Sequence, residues 1–238
     1  MRKLDARLHH IFTWANSRQY SYIWDLCCDH GRLGLHLHQH KMPYRRHIHL
    51  IDCVPSIIHK IQQQYPSTPD ESLSIECINA EKITLSPQAL AGNKLFIIAG
   101  VGGETAVTIA SAILEQNPAL LNTAEATTDF IFSTNNQSFE LRRYLRQAPF
   151  DCIAEDFVSE NGQHHEHIHM QVSKSAAKTR QISLLGHDIW QPLTPEKRTY
   201  LNKQQQHYQR CWKLKGTQET SCAALGYLSI LNSTTGGD

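Results

Sequence analysis

Leu4, Leu8, Ile11, Phe12 and Ala15 recur at helical spacing, so the first 16 residues read as an amphipathic helix with its basic residues outward. Beyond it, short apolar runs alternate with helical stretches. The runs 21–27, 47–52, 73–78, 95–100 and 129–133 are rich in Ile, Leu, Val or Phe and read as strands. Helical segments over 31–40, 55–64, 104–116 and 137–147 lie between or after them, and the third connection is shorter. Near-continuous apolar strands separated by helices predict an α/β architecture, with a mostly parallel sheet covered on both faces. The pattern then changes. Residues 151–159 and 165–172 form two alternating runs around Glu160-Asn161-Gly162-Gln163, and an Asn-Gly pair between alternating runs predicts an antiparallel hairpin. After Pro192, the polar, Gln/Lys-rich stretch 193–215 and the short helical stretch 217–231 read as a C-terminal helical appendage. The chain is therefore expected to divide into a core over 1–192 and an appendage over 193–238, with no internal repeat.

Composition narrows the class. With 238 residues, a 40% hydrophobic share, 19% charged residues, 12 Gly and 9 Pro, the chain is a folded protein and not a disordered or collagenous one. No apolar run reaches the ~18 residues of a membrane span, and Met1-Arg2-Lys3-Leu4-Asp5 lacks a signal peptide's apolar stretch, so a cytoplasmic protein is expected. Seven cysteines, odd in number and without a C-x-x-C, suit reduced thiols. The formal net charge of +1 conceals a segregation of sign. Residues 1–66 carry 9 Lys/Arg against 4 Asp/Glu, residues 67–170 carry 5 against 14, and residues 171–215 carry 9 against 2. Two basic segments flanking an acidic middle are either an ordinary solvated surface or, if the fold joins them, a face for a polyanion.

Candidate chemistry gathers at the carboxyl ends of the predicted strands, where ligands of open parallel sheets sit. The first strand runs into Asp25-Leu26-Cys27-Cys28-Asp29-His30-Gly31-Arg32, with Cys27 and Asp29 in the first two glycine positions of a nucleotide loop and only Gly31 remaining. That argues against a pyrophosphate, which needs bare backbone at the positive helix end. An acid-rich turn instead suits a cationic ligand such as S-adenosylmethionine, with its ammonium and sulfonium. Asp29-His30 reads equally well as a helix cap. Asp52 ends the second strand about 20 residues past the loop, where an acid can accept both ribose hydroxyls. Asn79-Ala80 ends the third, where an Asn can meet an adenine edge beside a small residue, or simply make a turn.

The fourth strand ends in Ala99-Gly100-Val101-Gly102-Gly103, and three glycines in four positions allow close approach of a flat base, or make a tight turn. At this point the sequence resembles a known family. Asp25-x-x-x-Asp29-His30-Gly31-x-Leu33, Ile98-Ala99-Gly100-Val101-Gly102-Gly103, Asn135 followed by Leu141-Arg142-x-x-Leu145, and Glu155-x-x-Val158-x-Glu160 are similar in order and spacing to the TrmK-like tRNA (adenine-N1)-methyltransferases. The resemblance spans roughly residues 4–215. It implies a Rossmann-like class I methyltransferase domain with a helical C-terminal element, S-adenosyl-L-methionine as cofactor, and tRNA as partner, methylated on adenine N1 at position 22. This chain departs from the family at Cys27-Cys28, where Gly-Ser is usual, at Val101, at Ser133-Thr134 and at His165 to His167. A glycine at the position of Cys27 points to a positive φ or a close cofactor approach.

Together these readings give Asp25, Cys27, Asp29, Gly31, Asp52, Asn79, Ala80, Ala99 and Gly100 as cofactor-binding residues. Gly102, Gly103, Asn135, Arg142, Lys203, Arg210 and Lys213 are the substrate-binding candidates, and Asp29, His30 and Asn135 the catalytic ones. The alternatives are a non-catalytic RNA-binding relative, or a methyltransferase acting on another base or a small molecule. Fifteen histidines, in runs such as His36-x-His38-x-His40, His47-x-His49 and His165-x-His167-x-His169, raise a metal site, but their periodicity argues against one. In the last run, alternation sets the histidines on one face and Ile168, Met170 and Val172 on the other, as on a half-exposed strand. On the helix 193–215, Thr194 and Gly216 read as caps. Lys203, Arg210 and Lys213 share one face there, and Leu201, Tyr208 and Trp212 form a separate packing stripe.

Overall fold

In a computed structural model, which describes residues 3–65, 72–122, 125–173 and 179–233, the chain begins with helix α1 (Ala6–Asn16), entered through Asp5, whose side chain accepts the Leu8 N–H at 2.9 Å. Then follow β1 (Tyr22–Leu26), α2 (Arg32–Gln39), β2 (His47–Asp52), α3 (Pro55–Gln64), β3 (Leu73–Cys77), the short α4 (Pro87–Ala91), β4 (Lys94–Ala99), α5 (Gly103–Gln116), β5 (Thr128–Ser133) and α6 (Ser138–Gln147). The chain continues through β6 (Phe150–Glu160), β7 (Gln163–Val172), α7 (Pro195–Lys215) and α8 (Gln218–Ser233). Every strand and helix read from the periodicity is present, with ends moved by a residue or two except in the first helix, which begins only at Ala6.

The seven strands form one sheet in the order β3-β2-β1-β4-β5-β7-β6. β1 to β5 are parallel, and β7 joins β5 antiparallel, with Phe132 opposite Ile168. Asn161 and Gly162 at the hairpin turn have φ of 51° and 75°, the two left-handed residues that a tight turn matched to strand twist requires. Successive side chains feed opposite faces. Trp24, Phe96, Phe130 and Phe132 pack under Ala106, Ile109 and Ile113 of α5, while Ile23, Ile48, Leu50, Leu95, Ile97 and Ile131 pack under α1, α2 and α3. The chain crosses over between β1 and β4, so the carboxyl ends of those strands flank the switch point of the sheet.

The histidine face of β7 differs from expectation. His167 and His169 are 0% and 2% exposed because α1 lies across them. His10 of α1 meets His167 Nδ1 at 3.1 Å and Asp156 at 2.8 Å, and Trp14 lies against both buried rings. Behind them, Asp129 accepts from Arg18 at 2.7 Å and Tyr20 at 2.5 Å and lies 3.1 Å from His169. These histidines are spent on packing an N-terminal helix against the hairpin.

Arg142 is also structural, which corrects its expected substrate contact. Its guanidinium is fully buried, 2.7 Å from Glu166 and 2.5 Å from Glu155, and donates to the Ser183 carbonyl at 2.9 Å. The Tyr200 hydroxyl completes the cluster by donating to Glu166 at 2.7 Å, tying α7 to the hairpin. Thr194 and Gly216 cap α7 as read from the sequence. Leu201 and Tyr208 are buried in a cluster with Phe139, Trp190 and Tyr227, but Trp212 is 40% exposed. Trp212 lies in the last turn of α7, outside that cluster.

Candidate active site

The turn after β1 is built by three residues with positive φ, Cys27 at 54°, Asp29 at 49° and Gly31 at 65°. Such backbone is costly for residues with a Cβ and persists where surrounding contacts fix it. Here the Cys28 N–H bonds the Ile51 carbonyl at 3.0 Å, the Gly31 N–H bonds the Cys28 carbonyl at 2.8 Å, and the Asp29 N–H bonds Asp52 Oδ2 at 3.1 Å. Asp52 Oδ1 takes the Val54 N–H at 3.0 Å. One carboxylate therefore holds both the β1 and β2 turns. The left-handed φ at Cys27 accounts for a glycine at that position in the family that the sequence resembles.

Asp25 lies beneath the turn, buried, with Oδ2 accepting the Gly34 N–H at 2.9 Å. Burial pushes its carboxyl up to about 7, against the pull of the Gly34 N–H, with the Asp52 charge adding to the rise and Arg7 opposing it. Burial likewise pushes the Cys27 thiol up to about 12, so it is neutral at physiological pH. Asp25, Cys27, Asp29, His30, Ala99, Gly100 and Asn135 line one cleft of about 240 Å³. Asp29 and His30 stand at its rim, their side chains 70% and 65% exposed.

Three residues in the same wall, Asp5, Arg7 and Arg32, were not expected there. Arg7 turns inward from α1, against the expectation of an outward basic face, and donates to Asn135 Oδ1 at 3.2 Å. Asn135 in turn donates to the Gly100 carbonyl at 2.6 Å. Arg32 reaches Asp5 at 3.3 Å. Beyond Arg7 the cleft adjoins a second hollow of about 370 Å³ that shares Asp5, Arg7 and Asn135 and is closed by Val158, Glu160, Gln163 and His165 from the hairpin. Glu160 Oε2 accepts the Ala6 N–H at 2.6 Å, pinning α1 to the hairpin turn.

Other expected residues lie outside these hollows. Asp52 is one hydrogen bond away, behind Asp29. Asn79 accepts the Glu81 N–H at 3.0 Å, the turn-forming use that its position allowed, and Ala80 is buried beside it. Gly102 and Gly103 do not leave room for a base. A Cβ on Gly103 would meet the Gln137 carbonyl oxygen at 2.0 Å, and one on Gly102 would meet Gln137 and Asn136 side chains at 2.8 and 2.9 Å. These glycines let the β4 and β5 loops lie together, with the Gly103 N–H bonding the Asn136 carbonyl at 3.0 Å. Lys203, Arg210 and Lys213 are exposed on α7.

Residues 4–168 match the model of the methyltransferase-domain family. The chain belongs to that family. No curated protein matches it in sequence. Among solved structures, Sp1610 of Streptococcus pneumoniae, proposed as a tRNA (m1A22) methyltransferase and crystallised with S-adenosyl-L-methionine, superposes with a TM-score of 0.70 at 16% identity, over 96% of this chain and 100% of that one. The m1A22 tRNA methyltransferase TrmK of B. subtilis gives 0.68 at 16% identity, over 98% and 97%. TrmK of M. capricolum with S-adenosyl-homocysteine gives 0.63 at 15% identity, over 98% and 96%. This methyltransferase-family chain therefore has the Rossmann-like class I methyltransferase fold, including the antiparallel hairpin. Among the described residues no helix is long and apolar enough to cross a membrane.

Proposed function

We propose that this chain is an S-adenosyl-L-methionine-dependent methyltransferase that modifies N1 of an adenine in tRNA, at position 22. The observation that carries the reading is the pair of adjoining hollows at the switch point, divided by Arg7 and Asn135. The first is lined by Asp25 and Asp29, with a neutral Cys27 thiol between them, and suits a ligand bearing a sulfonium and an ammonium. The second opens beside it toward the hairpin, where a turned-out base would meet the methyl group. The TrmK enzymes, similar over nearly their whole length, are named for this reaction.

S-adenosyl-L-methionine supplies an electrophilic methyl group. Adenine N1 has an in-plane lone pair and no proton, so the protein's main task is alignment. Asp25, Cys27, Asp29, Gly31, Ala99 and Gly100 would surround the methionine end, Asp52 the ribose, and Asn79 and Ala80 the adenine of the cofactor. Arg7 joins this set as the cation for the methionine carboxylate. Asp29 and His30, at the rim, stabilise the charge that methylation creates. The division at residue 192 belongs to the same proposal, with α7 and α8 as an RNA-facing appendage.

Titration calorimetry with S-adenosyl-L-methionine, followed by mapping of methylated bases in tRNA from a deletion strain, tests the reading. No cofactor binding would favour the RNA-binding relative without activity, and a methylated base other than adenine would correct the target. Cofactor affinity should also rise with pH. The buried Asp25 carboxyl, raised to about 7, is largely protonated at pH 6 and must ionise to face an ammonium, so affinity should climb between about pH 6 and 8. A flat profile in that window removes Asp25 from the ammonium site.

On α7, Lys203, Arg210 and Lys213 are exposed, and Glu196 is the helix's one acidic residue. Replacing the three with Gln should flatten the salt dependence of tRNA binding by about one unit of slope for each lost phosphate contact, leaving cofactor affinity unchanged. Unaltered binding at every salt concentration would move the RNA surface elsewhere.

A further inference from the structure

We infer that His10 is a positioning residue for methyl transfer: by bonding both strands of the hairpin it fixes the rotation of α1 and so holds the Arg7 guanidinium between the two hollows. This rests on the reading above of Arg7 as the cation for the methionine carboxylate.

α1 has two working faces. Ile11 and Ala15, with Leu8 and Phe12 beside them, pack into the core cluster shared with α2, α3 and the sheet. Arg7, His10 and Trp14 follow at i, i+3 and i+7 and so lie along a second stripe, turned toward the hairpin. Apolar contacts on the first face are non-directional and leave the helix free to turn a little about its axis. A rotation of about 20° would carry a side-chain tip roughly 5–6 Å from the axis by about 2 Å, enough to move a guanidinium off a carboxylate.

His10 removes that freedom. Its Nε2 lies 2.8 Å from Asp156 Oδ2 on β6, and its Nδ1 lies 3.1 Å from His167 Nδ1 on β7. Asp156 and His167 are register partners across the hairpin, so one ring straddles a cross-strand pair. Asp156 as a carboxylate accepts, so Nε2 donates to it. One hydrogen between the two Nδ1 atoms completes the bridge, and the positions are the same whichever ring supplies it. Burial holds His167 well below the usual histidine range, so no second charge opposes the contact.

Arg7 needs this support because its own tether is slight. Among the described residues its guanidinium makes one hydrogen bond, to Asn135 Oδ1 at 3.2 Å. Glu160 and Arg32 hold the chain before it, through the Ala6 N–H, the Lys3 carbonyl and the Asp5 carboxylate. His10 stands one turn after it on the same stripe, so Arg7 is held from both sides.

5′-Methylthioadenosine lacks the methionine carboxylate and ammonium and supplies the control. The Kd for it and for S-adenosyl-L-methionine is measured by calorimetry in the parent, Arg7→Met, His10→Phe, Asp156→Ala and Arg7→Met/His10→Phe. His10→Phe keeps a ring against Trp14 and loses both bonds, while Asp156→Ala removes one bond at an exposed position on the hairpin and leaves α1 untouched. Arg7→Met should weaken S-adenosyl-L-methionine alone. His10→Phe should weaken it roughly 5-fold or more and Asp156→Ala by a smaller factor, both without change for 5′-methylthioadenosine. Once Arg7 is methionine, His10→Phe should add nothing. His10→Gln, whose amide still donates to Asp156, should recover part of the affinity. Where His10→Phe does not fold, Asp156→Ala and His10→Gln carry the same comparison. No loss, equal loss for both ligands, or the same loss in the Arg7→Met background overturns the inference alone. An Arg7→Met variant that binds S-adenosyl-L-methionine as the parent does overturns the reading of Arg7 and the inference with it.

Discussion

Replacing Arg142 with methionine should destabilise the fold by about 3–5 kcal/mol, the range for removing one partner from a buried ion cluster. The side chains of Glu155 and Glu166 are 3% and 1% exposed, and each lies within 2.7 Å of the guanidinium. Without it, two carboxylates remain buried with the Tyr200 hydroxyl, Cys152 and little else to meet them. The cluster joins α6, both hairpin strands and α7, so the damage should reach beyond the hairpin. Chemical denaturation of the parent, Arg142→Met and the triple variant Arg142→Met/Glu155→Gln/Glu166→Gln would measure it. The triple variant should recover part of the loss, because its penalty is the uncompensated charge and not the missing bond. A loss below about 1 kcal/mol in Arg142→Met would mean that the cluster is solvated, and would return Arg142 to the list of candidate RNA contacts.

That distinction was not available from the sequence. Leu141-Arg142-x-x-Leu145 marks a helix with an arginine on it, but period alone does not say that Glu155 and Glu166, on two other elements, converge on the same face. The central strands β1, β4 and β5 were legible because they are buried on both sides, and apolar runs such as 95–98 need no partner to be recognised. The hairpin was legible from Asn161-Gly162, whose left-handed backbone few other pairs adopt easily.

Long-range covering was what the sequence hid. The alternation along β7 sorted His165, His167 and His169 onto one face correctly, yet that face is closed by α1, more than 140 residues earlier. For the same reason Arg7 read as an outward charge and proved to be the wall between two hollows. Gly102 and Gly103 carried an ambiguity of their own. Absent side chains signal close approach, but the approaching group is the Gln137 carbonyl of the next loop and not a ligand. At the carboxyl ends of β1 and β2, by contrast, Asp25, Asp29 and Asp52 do converge, because adjacent parallel strands in register bring their ends together.

Asp52 carries the second large expected effect. As the acid at the end of β2, it would accept the ribose hydroxyls of the cofactor through the lone pairs not used by the Asp29 and Val54 N–H groups. Asp52→Ala should therefore weaken S-adenosyl-L-methionine binding by about 1.5–3 kcal/mol, roughly 10- to 150-fold in Kd. The same substitution also releases the turn that carries Cys27 and Asp29, so weaker binding by itself does not separate ribose recognition from a loosened loop. 5′-Methylthioadenosine separates them, since it keeps the ribose and adenine and lacks the methionine ammonium and carboxylate. If Asp52 holds the ribose, Asp52→Ala should weaken both ligands by the same factor, whereas Asp25→Asn should weaken only the full cofactor. If Asp52 acts by supporting the turn, its loss should fall on the methionine end, and 5′-methylthioadenosine should bind the Asp52→Ala variant as it binds the parent.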